Sequence, residues 1–318
     1  MSEQVILTDL HPYEYEHPFD AKALDALQAT TGLDILVRQF NKHFTERFIT
    51  IQYTGSNLKI TKNTYPKVYD ILDHACNTIN LPSRPDLYLE QDVNINGFTT
   101  GVDHPIIVLS SGSIDKLDDD ELLYLIGHEA GHIKSRHTLY DMMAQYFLPL
   151  AMNVLGTVTL GVSDLVLHHA QQALQLALLQ WSRMSELTAD RVGLLACQDM
   201  QAAIRVMMKW SGLPLKYYDN MNVESFVRQV KDFDELDYDK LNLAGKFLAT
   251  MSRTHPFTVI RTAELLRWID SGEYNQVIQR KTIDRLNKKY EGNSVFCRKC
   301  GFRLEGSEKF CVSCGQQL

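Results

Sequence analysis

The chain has 318 residues and a formal net charge of -7 at pH 7, from 39 acidic and 32 basic side chains. This length accommodates one sizeable domain and a small appendage. The acidic balance argues against a general nucleic-acid binder, which needs cationic surface to meet phosphates. Residues 1–20 contain no long apolar run, so we expect no signal peptide.

The first third of the chain predicts helices followed by a small sheet. Residues 19–50 and 65–80 have helical patterns. Short apolar stretches at residues 86–89, 96–101 and 105–109 predict strands. With the helical segments that follow, the chain is predicted to be α+β and mainly helical.

A helix that carries H-E-x-x-H is the most informative segment. It is predicted to run to about residue 145, with Asp118 as its N-cap and Glu121 completing a capping box. His128 and His132 are four residues apart, so both imidazoles lie on one helix face and can reach one metal ion. Glu129 projects beside them, where a carboxylate could take a proton from metal-bound water. This is the layout of a zinc-dependent peptidase; the alternative is two surface histidines on an amphipathic helix.

A third metal ligand is expected, because catalytic zinc takes three protein ligands and a water. Glu186 lies in a second predicted helix, over residues 165–197, and would complete a His-His-Glu site. Asp190 follows one turn later and could accept a hydrogen bond from the second nitrogen of a ligand histidine. The alternative is a solvated Glu-x-x-x-Asp face.

Three separated motifs together resemble one known family. They are His128–His132, the Glu-x-x-Ala-Asp stretch of residues 186–190, and a late His255-Pro256 followed by Arg261. In this order they resemble the HtpX-like and CAAX prenyl endopeptidase family of gluzincin zinc metallopeptidases, over roughly residues 65–267. The resemblance implies a zincin-type catalytic domain with a small sheet beside the H-E-x-x-H helix.

The resemblance also implies residue roles. It implies that catalytic zinc is bound by His128, His132 and Glu186, with Glu129 as the general base.

Residues around this set receive supporting roles from the same resemblance. His255 would help to stabilise the developing oxyanion; the alternative is a helix-start residue with no catalytic task. Arg261 would support the site. Arg183, three residues before Glu186, also matches a family position of structural role.

The strand before the zinc helix is the expected substrate-binding element. In this family a similar strand forms the sheet edge above the zinc, where an extended peptide could add through main-chain hydrogen bonds. Gly97 and Thr99 stand where alanine is common in the family. The alternative is an ordinary hairpin that packs on the helices. The candidate substrate-binding residues are Asn96, Gly97, Phe98 and Thr99.

The C-terminus carries two C-x-x-C-G pairs with ten residues between them. This spacing predicts a structural zinc ribbon of four thiolates, and the alternative is two disulfides. The domains are therefore predicted as a metallopeptidase domain over residues 1–287, with its core at about 65–270, a linker over 288–296 and a ribbon over 297–318. The ribbon could dock an unknown protein. Its ligands would be Cys297, Cys300, Cys311 and Cys314.

Thiolate ligands and the two remaining cysteines indicate a reducing compartment. Cys76 and Cys197 lie in apolar helical context and are expected to be reduced core residues. Residues 142–163 carry no charge, but polar side chains in 165–181 disfavour a returning membrane span. We therefore expect a buried or interfacial hairpin that could contact a membrane peripherally through residues 142–181; two full spans stay an alternative. The predicted location is cytoplasmic, including the cytoplasmic face of a membrane.

The predicted function is a zinc-dependent endopeptidase that acts on extended or unfolded protein segments, with one catalytic and one structural zinc ion. A role in protein quality control rests on the resemblance alone. One alternative is a non-catalytic binding or chaperone-like module that contains zinc. Another is a latent enzyme whose own segment, residues 141–165, covers the cleft.

Overall fold

The computed structural model describes residues 4–20, 46–81, 83–142, 163–235 and 258–281. These residues form a mainly helical α+β domain with one small sheet, which confirms the predicted fold class. Short 3₁₀ helices lie at Pro12–Glu14 and Leu215–Asn220. The helices are α1 (Glu46–Ser56), α2 (Pro66–Thr78), α3 (Ser111–Lys116), α4 (Asp119–Lys134), α5 (His137–Met142), α6 (Ser163–Cys197), α7 (Met200–Trp210), α8 (Val223–Glu235), α9 (Thr258–Asp270) and α10 (Glu273–Ile278).

The sheet has four strands in the order β1-β2-β4-β3. β2 and β4 are parallel, and both outer strands pair antiparallel with their neighbours. The three predicted strands are confirmed, whereas the three-residue β1 was not predicted because it is too short to show an alternating pattern. β3, the expected substrate strand, is an edge strand. The strands are β1 (Leu58–Ile60), β2 (Asp86–Glu90), β3 (Gly97–Thr100) and β4 (Ile106–Ser110).

The start of α4 follows the sequence prediction, and its end does not. Asp118 accepts a hydrogen bond of 2.9 Å from the backbone N–H of Glu121, and the Glu121 carboxylate accepts one of 2.9 Å in return. The helix ends at Lys134, short of the predicted residue 145, and α5 begins at His137. Arg136 has φ of +62°, which breaks the helical path between them. This turn brings His137 back toward the histidines of α4.

Close packing of α4 on α6 depends on glycines that face the partner helix. A Cβ on Gly127 would lie 2.3 Å from the Cβ of Ala196, and one on Gly131 would lie 2.8 Å from the Cβ of Val192. Real atoms do not approach this closely, so any side chain at either position would push the helices apart. The two glycines therefore let the histidine face of α4 reach the acidic face of α6.

We expect Gly127→Ala to lower the free energy of unfolding by about 1–3 kcal/mol, because the overpacking cost exceeds the gain in helix propensity. Urea denaturation measures this change. The double variant Gly127→Ala/Ala196→Gly removes the atom that the new methyl group strikes. The free energy of unfolding of the double variant should be close to that of the single variant Ala196→Gly. If the double variant is less stable than Ala196→Gly by the full cost of Gly127→Ala, this packing account is wrong.

The N-terminal segment, residues 4–20, packs into the same core. Leu7 and Tyr15 are fully buried, and Leu10 is nearly so. Arg280, beyond α10, pairs with the Glu14 carboxylate at 3.1 Å. The segment is therefore an integral layer of the domain, although it is largely irregular in backbone conformation.

Three further sequence predictions concern the cysteines, the undescribed segments and membrane spans. Cys76 and Cys197 are free and buried, as predicted. Residues 21–45 of the predicted N-terminal helical region, 143–162 of the predicted hairpin and 282–318 with the linker and ribbon lie outside the described residues. Among the helices within the described residues, none is both long and apolar enough to cross a bilayer.

Candidate active site

Two helices bring three ligand-type side chains together. The Nε2 atoms of His128 and His132 are 3.3 Å apart on α4. Glu186, on α6, places one carboxylate oxygen 3.6 Å from the His128 Nε2 and the other 3.6 Å from the His132 Nε2. All three side chains are buried. The structure therefore gathers at one point the three residues that the sequence motifs indicate as zinc ligands.

The spacing of these donor atoms fits a small tetrahedral cation. Zinc holds imidazole nitrogen and carboxylate oxygen at about 2.0–2.2 Å, which sets neighbouring tetrahedral ligand atoms about 3.3–3.6 Å apart. Two imidazole nitrogens and a carboxylate, buried and converging at this spacing, form a borderline donor set of the kind that zinc prefers. The residues present therefore fit a zinc ion.

A buried arginine ties the carboxylates of α6 together. The Nε and Nη2 atoms of Arg261 donate hydrogen bonds of 2.8 and 2.6 Å to the two carboxylate oxygens of Asp190. The Nη1 atom of Arg261 lies 3.1 Å from the Glu186 carboxylate. Asp190 also accepts 2.9 Å from the Tyr124 hydroxyl, and its Oδ1 lies 3.1 Å from the His128 Nδ1. Asp190 and Arg261 thus stand directly behind two of the three ligand-type residues.

The charges around the triad favour a bound cation. Burial opposes the charged form of His128, but the nearby carboxylates of Asp190 and Glu186 outweigh burial and raise its pKa to about 9. Burial drives the pKa of His132 well below its usual value, so this ring is neutral and ready to ligate. Although burial opposes its ionisation, the charge of Arg261 holds the pKa of Asp190 below the ordinary value.

Two aromatic residues of this support were not singled out from the sequence. Tyr124 lies one turn before His128 on α4, so its position on the ligand face could have been inferred from helical spacing. Trp210, at the end of α7, stacks with the Arg261 guanidinium at 4.8 Å and meets the His128 ring edge-on at 6.0 Å. No local pattern in the sequence indicates this role for Trp210.

The candidate general base contacts the edge strand β3. The Thr99 hydroxyl lies 2.8 Å from the Glu129 Oε2 and 3.1 Å from the Glu129 backbone carbonyl, and it can donate to either. A Cβ on Gly97 would come within 3.3 Å of the Glu129 side chain. Alternate residues of β3 therefore meet Glu129, as the period of a strand requires.

The other two strand candidates lie elsewhere. The backbone N–H of Asn96 donates to the hydroxyls of Ser110 and Ser113, at 3.1 and 2.8 Å, which anchors the start of β3. The Phe98 ring packs against Tyr53 with ring centroids 5.8 Å apart. Two of the four predicted substrate-strand residues thus contact Glu129, and two stabilise the strand itself.

We expect Thr99→Val, which has nearly the same shape but no hydroxyl, to lower kcat by about tenfold, because a lost hydrogen bond of about 1.4 kcal/mol no longer orients Glu129. Thr99→Ser keeps the hydroxyl and should retain most of the wild-type kcat. Steady-state assays on an unstructured peptide measure both variants. Equal losses in the Val and Ser variants would contradict the role of the hydroxyl.

A second series of buried contacts connects His132 to His137 and Asp20, on the side of His132 that faces away from Glu186. The His132 Nδ1 lies 3.0 Å from the Nδ1 of His137, and the His137 Nε2 lies 3.0 Å from the Asp20 carboxylate. Neither His137 nor Asp20 was singled out from the sequence. His137 lies five residues after His132. In a straight helix, a residue at this spacing would lie partly off the face that presents the ligands.

Of the remaining predicted site residues, Arg183 alone lies within the part of the chain that the structure describes. Arg183 is buried on α6, one turn before Glu186. His255 and the four cysteines of the predicted ribbon lie outside the described residues.

The fold and site together define a zincin-type metallopeptidase. A helix presents two histidines and a glutamate, a second helix presents a carboxylate as the third ligand-type side chain, and an edge strand lies beside them. Residues 62–269 match peptidase family M48, and the chain belongs to this family. The chain is accordingly a metallopeptidase hydrolase of a zinc-dependent family that acts on protein or peptide substrates.

Three relatives of this chain have names that are consistent with this family. The plastoglobule-localized metallopeptidase 48, chloroplastic, of Arabidopsis thaliana is 28% identical over 278 residues, which cover 87% of this chain and 78% of the relative. The protease HtpX homolog of Ralstonia nicotianae is 23% identical over 257 residues, covering 74% of this chain and 84% of the relative. The protease HtpX homolog of Tropheryma whipplei strain Twist is 32% identical over 128 residues, or 40% of each chain.

Proposed function

We propose that this metallopeptidase is a zinc endopeptidase that hydrolyses peptide bonds in extended or unfolded protein segments. The observation that carries the proposal is the contact between Thr99 of the edge strand β3 and the Glu129 carboxylate, at 2.8 Å. This contact joins the strand on which a substrate could lie to the residue that would activate water. His128, His132 and Glu186 would hold the zinc ion.

The bound zinc ion would supply Lewis acidity, which polarises the scissile carbonyl and lowers the pKa of the attacking water. Glu129 takes a proton from that water as general base and later delivers it to the leaving amine. Arg261 and Asp190 hold the ligand side chains in place during both steps. His255 is proposed to donate a hydrogen bond to the developing oxyanion, from a position close to the scissile carbonyl.

An edge strand favours internal cleavage of an extended substrate. A peptide that adds to β3 pairs through its main chain, so recognition does not depend on a particular sequence. Main-chain pairing along a strand requires no free peptide terminus near the zinc. An unfolded protein offers many such segments, whereas a folded protein has its main chain already paired.

Further proposals rest on sequence patterns alone. The C-x-x-C-G pairs support a structural zinc ribbon over residues 297–318 that binds a second zinc ion and docks a protein. The uncharged stretch within residues 142–181 supports peripheral membrane contact. The thiolate pairs support a cytoplasmic location, including the cytoplasmic face of a membrane. A role in protein quality control is proposed from the family resemblance alone.

The test incubates the zinc-loaded full chain with casein and identifies the new termini by mass spectrometry. We expect internal cleavage at many positions, loss of activity with a chelator and recovery on adding zinc back. His132→Ala should bind less zinc and cleave nothing. Trimming confined to casein termini, or no cleavage by protein that holds zinc at the histidine site, would overturn the endopeptidase proposal.

A further inference from the structure

The ligand-type residue His132 has a buried partner on the side away from the proposed metal. Its Nε2 faces His128 and Glu186, and its Nδ1 lies 3.0 Å from the Nδ1 of His137. The other nitrogen of His137, Nε2, lies 3.0 Å from the Asp20 Oδ2. His132, His137 and Asp20 are 8%, 0% and 1% exposed, so solvent does not replace any of these contacts.

The order of donors and acceptors along this chain follows from the metal end. When the His132 Nε2 binds a cation through its lone pair, the proton of the neutral ring must be on Nδ1. That proton is donated to the His137 Nδ1, which must then accept, so His137 carries its own proton on Nε2. The His137 Nε2–H in turn donates to the Asp20 carboxylate. Each ring is thereby held in the one tautomer that leaves the His132 Nε2 free for the metal.

We infer that Asp20, acting through His137, is a positioning residue for the metal ligand His132. Outer partners of this kind orient a ligand ring and raise its basicity. Here the orienting carboxylate acts through an interposed imidazole rather than directly. The first ligand histidine, His128, is supported separately by Asp190, at 3.1 Å.

Asp20 and His137 are themselves held from more than one side. The Thr188 hydroxyl, on α6, donates to the Asp20 Oδ2 at 2.6 Å, and it accepts 3.0 Å from the backbone N–H of His17. The ring of Trp181, also on α6, meets the His137 ring edge-on with centroids 5.6 Å apart. The helix that carries Glu186 therefore also holds Asp20 and His137, the two residues behind His132, in place.

This assignment makes the N-terminal segment part of the metal centre. Asp20 lies outside residues 62–269, which carry the family match, so the match alone would not include it. The segment is attached near Asp20 by independent contacts: Arg191 donates to the backbone carbonyls of Tyr15 and Glu16, at 3.2 and 3.1 Å. The inference rests on the proposed zinc site, because it concerns a ligand of that site.

The test compares zinc binding by full-length wild type, His137→Phe, Asp20→Ala and Asp20→Asn, using competition with a chromophoric chelator. His137→Phe keeps an aromatic ring against Trp181 but has no nitrogen, so we expect zinc affinity at the histidine site to fall about 10–100-fold. Asp20→Ala should show a fall of the same order. Asp20→Asn keeps an acceptor oxygen without the charge and should lie between Asp20→Ala and wild type. None of the variants alters a cysteine of the proposed ribbon, so differences in zinc affinity arise at the histidine site.

A second measurement separates positioning from general stability. The rise in unfolding midpoint that zinc produces depends on zinc affinity, whereas a purely structural defect lowers the metal-free and zinc-loaded midpoints alike. We expect a smaller zinc-induced rise in His137→Phe and Asp20→Ala than in wild type. Arg280→Met, which loses the contact with Glu14 elsewhere in the segment, is the matched control and should leave the rise unchanged.

The outcomes distinguish this inference from the proposed function. If His137→Phe and Asp20→Ala bind zinc like wild type, or if Arg280→Met weakens zinc binding equally, the positioning role of Asp20 is overturned while the zinc site stands. If His132→Ala binds as much zinc as wild type with the same affinity, the triad itself is not a zinc site, and the proposed function fails with the inference.

Discussion

Glu129→Gln should reduce kcat for peptide hydrolysis by about 10²–10⁴-fold, which is the usual contribution of a general base. The amide has the same shape as the carboxylate but cannot take a proton from the attacking water. Zinc binding should persist, because the three ligand-type side chains and their supports are unchanged. The measurement pairs initial rates on an unstructured peptide with the zinc content of the same samples.

Asp119→Asn is the matched control for this result. It makes the same acid-to-amide change on the same helix, at a half-exposed position in the first turn that pairs with Lys67. Its kcat should equal that of wild type. A Glu129→Gln enzyme that holds zinc and keeps a tenth or more of the wild-type kcat would exclude Glu129 as the general base.

Arg261→Leu should lower the free energy of unfolding by about 3–5 kcal/mol, because removing one partner of a buried ion pair leaves uncompensated charge. Arg261 is buried and lies between the carboxylates of Asp190 and Glu186, at 2.6 and 3.1 Å. Urea denaturation of the metal-free protein measures the loss directly. Zinc affinity should fall as well, since Glu186 and Asp190 lose the group that orients them.

An exposed ion pair provides the comparison. Lys59 and Asp86 are 2.6 Å apart on neighbouring strands with about half of each side chain exposed. Lys59→Met should cost at most about 1 kcal/mol, because solvent already screens the pair. If Arg261→Leu costs no more than Lys59→Met, the arginine does not hold the buried carboxylates as the structure indicates.

Helical periodicity alone placed much of the candidate site. Two histidines four residues apart share a helix face wherever that helix lies, and the same holds for Glu186 and Asp190. The cap of α4 could be predicted because Asp118 and Glu121 interact within one turn. The predicted strands follow from short apolar stretches, and they are confirmed for β2, β3 and β4.

What local patterns could not supply is the identity of residues that meet across the fold. The guanidinium of Arg261 reaches Asp190 from α9, and Trp210 reaches both His128 and Arg261 from α7. The predicted end of α4 was also wrong, because no glycine or proline marks the left-handed turn at Arg136.

By itself, the sequence indicated the chemical type of this protein, because the candidate metal ligands and the candidate general base follow from spacing along helices. Only the tertiary structure decided which distant residues, such as Asp20 and Trp210, support them. Asp20 is 117 positions from His137 in the chain, and their contact exists only because the N-terminal segment packs against α5 and α6. Periodicity tells which face of an element is buried, but it carries no information about which distant segment covers that face.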